Sequence, residues 1–189
     1  NTGIFSTTIN RLSNGSSVTA VTHNNGTITT NSSDAFGNVT IGVQLSVLAI
    51  STAQQSGGAV ALPVSAVAAV KDAATAPSIT VSTGGAPAKV AIPTQTPSAG
   101  TVAVIIREDG SSQVIRNSAL TNDSIVAVLP DRATVKIVDN SKNFVDVPAG
   151  SPFENAVAFV SARELFHNTA DTVFAPEAPM TNAMLITAL

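Results

Sequence analysis

The stretch Val39-Thr40-Ile41-Gly42-Val43-Gln44-Leu45-Ser46-Val47 decides how this chain is read. Apolar side chains stand at every second position, with Thr, Gly, Gln and Ser between them. A period of two places the apolar set on one face of an extended chain and the small or polar set on the other, the pattern of a half-buried β-strand. Val, Ile and Thr are β-branched, stiff at χ1 and suited to a pleated surface. Toward the N-terminus, Ser6–Leu12 and Ser17–Thr22 flank Asn14-Gly15, a type I′ hairpin signal. Asn25-Gly26 marks a second turn before Thr27–Thr30, and Phe36-Gly37-Asn38 a third. Toward the C-terminus the expected strands are Ala59–Leu62, Ser78–Ser82, Lys89–Ile92, Thr101–Arg107, Ser112–Arg116, Ile125–Leu129 and Thr134–Val138, with Asp109-Gly110 as a further hairpin signal. Val64–Ala74, Ala-rich and bounded by Pro63 and Pro77, has the composition of a short helix. Short strands at about 8–12-residue spacing point to a β-sandwich or barrel.

Composition narrows the function classes. Of 189 residues, 9 are Lys or Arg and 12 Asp or Glu, a net charge of −3, while hydrophobic residues make up 44%. So few cations argue against nucleic acid as a partner. The hydrophobic content with little net charge argues against wholesale disorder. No Cys is present, so no disulfide or thiolate metal site is expected. No run of about 18 apolar residues exists to cross a membrane, so membrane insertion is not expected. No basic segment followed by an apolar one opens the sequence, so no signal peptide is visible. Charge is unevenly spread: residues 1–70 hold only Arg11 and Asp34. Five of the seven Phe residues lie after position 143.

The end of the chain changes character. Ser151-Pro152-Phe153-Glu154 reads as a helix start, with Ser as N-cap, Pro at the first position and Glu closing a capping box. Ala156, Val157, Phe159, Val160 and Leu165 then recur at helical spacing over 152–166. A loop over 168–178 leads to Thr181, a cap for a second expected helix, Asn182–Leu189. Phe166 and Phe174 are placed to pack between the two helices. The fold class expected is therefore mainly β. It comprises a β-hairpin arm (1–40), a β-sandwich-like domain (41–140) and a short helix–loop–helix module (141–189).

From Asn143 to Leu189 the chain resembles an S-layer homology (SLH) module. The resemblance is carried by Phe144-Val145-Asp146-Val147 and by the helix Phe153-Glu154-Asn155-Ala156-Val157-Ala158-Phe159-Val160 with Ala162-Arg163-Glu164-Leu165-Phe166. Thr172-Val173-Phe174-Ala175-Pro176 and Ala178-Pro179-Met180-Thr181-Asn182-Ala183-Met184 complete it in the family's order. Thr101–Asp139 also looks like the β region that precedes such modules in some Gram-positive surface proteins. The resemblance implies a non-enzymatic protein held non-covalently on the bacterial envelope, extracellular, with a secondary cell-wall polysaccharide, often pyruvylated, bound between three module copies. It implies glycan-binding positions at Asp146, Phe153, Arg163, Thr181 and Asn182. The family's T-R-A-E tetrad reads Thr181-Asn182-Ala183-Met184 here, so the Arg that would fork onto an anionic sugar is an Asn. One module is present. Copies lost from the chain, copies supplied by other subunits, or a module that binds no glycan are the readings this leaves open.

No catalytic constellation stands out, and no cofactor is expected. His23, in a Thr/Asn-rich turn, reads as a solvated turn residue, and His167 as a partner for a helix C-terminus. No G-x-S-x-G elbow, P-loop, G-x-G-x-x-G or EF-hand pattern occurs. Glu108-Asp109 and Asp131 read as turn acids rather than calcium ligands. The alternative to an anchored surface protein is a self-assembling subunit of a surface layer or filament. Residues 1–40 are β-prone and lack the Lys gatekeepers that blunt sheet edges, which suits strand exchange with neighbouring subunits or copies of the same chain.

Overall fold

The computed structural model describes residues 3–11, 13–36, 39–166, 172–179, 181 and 186. The chain is mainly β, with two sheets face to face and a short helix near the C-terminus. Among the described residues there are thirteen strands and two helices. In order they are β1 (Ile4–Arg11), β2 (Ser17–His23), β3 (Ile28–Ser33), β4 (Val39–Gln44), α1 (Val47–Gln55), β5 (Val60–Ala61), β6 (Val67–Ala68) and β7 (Ser78–Ser82). There follow β8 (Ala88–Gln95), β9 (Thr101–Ile106), β10 (Ser112–Val114), β11 (Ser118–Leu120), β12 (Ser124–Leu129), β13 (Ala133–Asp139) and α2 (Glu154–Ala162). The larger sheet has the order β1-β2-β3-β4-β7-β13-β9-β10. The smaller runs β11-β12-β8-β5, with β6 also pairing to β8. Strand β4 pairs in parallel with β7 from Thr40↔Ser78 to Gln44↔Ser82, so the arm β1–β3 continues the larger sheet through β4.

Period-two patterning builds the core. Ile79 and Val81 of β7, Val90 and Ile92 of β8, Ile125 of β12, and Val135 and Ile137 of β13 interlock between the sheets, all effectively without solvent exposure. Strand β9 differs. Its run Val102-Ala103-Val104 is buried throughout, because Ala103 joins the core between the sheets while Val102 and Val104 pack on the opposite face with Val138 and Ala162. On that face Ala162, at the end of α2, joins Ala76 and the partly buried Val70 and Ala73 as cover for the larger sheet.

Three tight turns use one device. In Asn14-Gly15-Ser16, Asn25-Gly26-Thr27 and Asp109-Gly110-Ser111, the first side chain accepts the amide hydrogen of the residue two further on, at 3.0, 3.0 and 2.8 Å. The glycines between take φ of +85°, +80° and +80°, which a side chain would oppose. These turns close the hairpins β1–β2, β2–β3 and β9–β10. The hairpin expected at Asn14-Gly15 forms, with Arg11 paired to Ser17 as the last rung before the turn.

Other expectations change. The alternation through Leu45-Ser46-Val47 does not extend the strand. The Ser46 hydroxyl accepts the Ala49 amide at 3.0 Å, caps α1 and starts a helix instead. Over 64–74 no helix forms; Val67–Ala68 pairs in parallel with Thr94–Gln95, Val70 bridges Val138, and Asp72 caps a turn by accepting the Ala74 amide at 2.8 Å. Tertiary pairing outweighs alanine's weak helical preference there. His23 is no solvated turn residue: it ends β2, is 7% exposed, and its Nε2 lies 3.1 Å from Thr29 Oγ1. At α2, Ser151 is not the N-cap. Phe153 holds that place with αR backbone and no side-chain bond, and the Ser151 hydroxyl is buried with no hydrogen-bond partner. Glu154 still reaches back, its Oε2 accepting the Gly150 amide at 2.6 Å. The second expected helix, Asn182–Leu189, lies outside the described residues except for Ile186, which is helical.

Candidate functional site at the C-terminal module

Two segments 28 residues apart meet at Asp146. Its Oδ1 accepts the Phe174 amide at 3.0 Å and its Oδ2 the Ala175 amide at 2.6 Å. The Phe174 amide, then the Ala175 amide, holds the carboxyl below the usual carboxylate range. Val145 donates its amide to the Thr172 carbonyl at 2.9 Å. The Phe144 and Phe174 rings lie 5.4 Å apart at 55°, a tilted aromatic pair. Phe174 thus packs against the module's first segment; its expected place between two helices involves a second helix that lies outside the described residues.

This junction shapes a groove of about 470 Å³ lined by Asp146, Pro148, Phe153, Pro176 and Glu177, among others. Phe153, 41% exposed, presents its ring there. The groove brings together two of the expected glycan-binding residues, Asp146 and Phe153. Thr181 is exposed at the edge of the described residues, and Asn182 lies outside them.

Arg163 is placed differently. Its side chain is 0% exposed, so it presents nothing to a ligand at the surface. Nε donates to the Ser118 carbonyl at 2.9 Å, Nη1 to those of Ala99 and Phe159 at 3.3 and 3.4 Å, and Nη2 to that of Thr101 at 3.3 Å. The guanidinium carbon lies 3.7 Å from the centre of the Phe159 ring. Burial pushes the guanidinium down to about 10, still charged at neutral pH. Arg163 pins the end of α2 to β9 and β11. No local pattern could have revealed this, because the accepting carbonyls of Ala99, Thr101 and Ser118 lie far back in the sequence. The nearby Asn140 Nδ2 adds a bond to the Ala162 carbonyl at 2.6 Å.

Among the described residues, the groove lining holds the carboxylates of Asp146 and Glu177 and no Lys or Arg. Chemically it offers a ring and proline faces for stacking, and oxygens that accept from hydroxyl or amine donors. Its described lining residues place no cation against an acidic ligand. Elsewhere the acids serve turns. Asp131 Oδ1 accepts the amides of Thr83 and Gly84 at 2.6 and 3.1 Å, and Asp109 caps Ser111. Among the described residues, no three His, Asp or Glu side chains gather as a metal site, and no helix is long and apolar enough to cross a membrane. No family model, curated protein or solved structure matches the chain.

Proposed function

We propose that this chain is a non-enzymatic bacterial cell-surface protein, with the β-sandwich as the displayed body and the SLH-like C-terminal module as its contact with the envelope. The observation that carries this reading is the groove at that module, which Asp146 organises and Phe153 walls. An exposed ring beside hydroxyl acceptors suits the face of a sugar. The groove's carboxylates favour a neutral glycan segment over a pyruvylated one, by like-charge repulsion. Retention of the whole chain on immobilised wall polysaccharide, with and without its pyruvyl groups, tests this. Phe153→Ala is expected to weaken retention by about threefold to tenfold, the scale of one aromatic contact. Equal retention of the variant, or no retention on either polysaccharide, rejects the reading.

A second reading, self-assembly into a surface layer or filament, is favoured by one specific observation: β1 is an edge strand exposed along its whole length.

A further inference from the structure

Strand β1 ends the larger sheet, and hydrogen-bond parity shows which of its groups face outward. The His23 amide donates to the Thr27 carbonyl at 2.9 Å, and the Gly26 amide to the His23 carbonyl at 2.8 Å, so His23 bonds toward β3. Alternation along β2 then turns Val21 and Thr19 toward β3, and Thr22, Ala20 and Val18 toward β1. Their partners on β1 are Ser6, Thr8 and Asn10. Thr7 and Ile9 are left with backbone N–H and C=O aimed away from the sheet. A register slip sets Ile4 and Phe5 against His23 alone and leaves Ser6–Arg11 regular. Phe5 is 78% exposed and Ile9 59%, large apolar side chains near the edge.

We infer that the occupant of this edge is β1 of a second copy, antiparallel about a two-fold axis at Thr7. The inference rests on the self-assembly reading and specifies its contact. In this register Thr7 faces Thr7 of the other copy, Ser6 faces Thr8, and Phe5 faces Ile9 twice. Outward-facing backbone groups meet outward-facing ones, so the ladder continues from one copy into the next. The Phe–Ile pairs are aromatic against β-branched, a favourable cross-strand combination. Charge permits self-pairing. Arg11 is the sole charged residue in the strand and comes opposite Gly3, about 27 Å from its own copy at the strand rise. A register centred one residue later would set both Arg11 side chains against Phe5 and leave Ile9 facing Thr7, so the apolar side chains would not meet.

The chain contains no Cys, so single-cysteine variants report the register directly. A hydrogen-bonded antiparallel pair has Cα atoms about 5.5 Å apart, within disulfide range. Thr7→Cys is therefore expected to give a covalent dimer under mild oxidation. Thr8→Cys, diagonal to its copy at about 7–8 Å, and Asn10→Cys, about 20 Å away, should stay near the background rate. All three substitutions are at exposed positions, and circular dichroism verifies that each variant folds. Ile9→Lys should raise the dimer dissociation constant by about tenfold, because both Phe–Ile pairs are lost. If light scattering finds the chain monomeric at every concentration, this inference and the self-assembly reading fall together. If the chain associates but Thr8→Cys crosslinks as fast as Thr7→Cys, or all three crosslink alike, the two-fold register fails and self-assembly by another contact stands.

Discussion

Replacing Arg163 by Ala removes the donors of four carbonyl oxygens, on Ala99, Thr101, Ser118 and Phe159, and opens a cavity where a large side chain is 0% exposed. A hydrogen bond to a charged group contributes about 1.5–3 kcal/mol, but the four are not additive, because water can enter the space left behind. The expected loss is about 3–5 kcal/mol, the range seen when one partner of a buried polar set is removed. Arg163→Lys keeps the charge but not the planar fork and should fall between, at about 1–3 kcal/mol. The assay is urea unfolding followed by far-UV circular dichroism and extrapolated to water. A loss under about 1 kcal/mol for Arg163→Ala would show that the carbonyls find other partners and that Arg163 is no pin. The pH dependence gives a second check. With the folded value lowered to about 10 by burial, the folded state releases this proton before the unfolded state does. Between that value and the unfolded one the unfolded chain binds more protons, so this group makes stability rise with pH above about 10 and adds no slope below it. The difference between wild type and Arg163→Ala should therefore be flat from about pH 6 to 9, and a slope there refutes the assignment of a buried, charged guanidinium.

Asp146→Ala should speed hydrogen exchange at the Phe174 and Ala175 amides, which mass spectrometry reads directly. Because the folded Asp146 value is lowered, its contribution is present in full above the unfolded value of about 3.9 and disappears as pH falls through the lower folded one. Gly100→Ala would drive a methyl into the Ser141 hydroxyl and within 2.9 Å of Ser141 Cβ, so thermal unfolding should show a loss of about 1–3 kcal/mol. Ile79→Ala, at a position with 0% exposure between the sheets, should lose about 3 kcal/mol in urea unfolding.

The strands that were easiest to read are those whose pattern has one physical meaning. Ser78–Ser82 was legible at its observed ends, because Ile79 and Val81 alternate with hydroxyl residues and only one face is buried. Helix α1 was hidden because Leu45-Ser46-Val47 prolongs a period-two pattern across a cap. The available signal was Ser46 ahead of Leu48, Ala49 and Ile50, a cap before a helical apolar group. Ser118–Leu120 gives no sequence signal, because three residues carry no period. The Ala-rich run over 64–74 suggests a helix only weakly, whereas the two parallel pairs with β8 that decide its structure lie outside any local window. At the candidate site, Asp146 and Phe153 follow from the resemblance, but the wall that the 175–178 segment adds to their groove is held by Asp146 through amides 28 and 29 positions beyond it, which no local window shows. Arg163 came from the same source and points inward, since a burial that depends on carbonyls of β9 and β11 leaves no trace around the residue itself.

The burial of β9 on both faces bears on how the C-terminal module can work. A strand covered on one side alternates, as β7 does; a strand covered on both reads as an unbroken apolar run, as Val102-Ala103-Val104-Ile105-Ile106 does. The inner cover is the smaller sheet, and on the outer face Val102, Val104 and Val138 cluster with Ala76 and with Ala162 at the end of α2, flanked by Val70 and Ala73. The outer face of β9 is thus shared between residues 70–76 and the end of a helix that starts 48 residues after the strand's last residue. A module joined by a flexible linker would leave no such mark on the domain before it. With Arg163 and Asn140 tying the end of α2 to the neighbouring backbone, a load applied at the groove reaches the sandwich through α2 and its packed contacts. Truncation after β13 would therefore remove Ala162 and the Arg163 bonds from the outer side of β9 as well as the groove, and a loss of binding in that variant would mix two causes. Single substitutions at exposed groove positions such as Phe153 separate them, because that ring adds nothing to the cluster beneath α2.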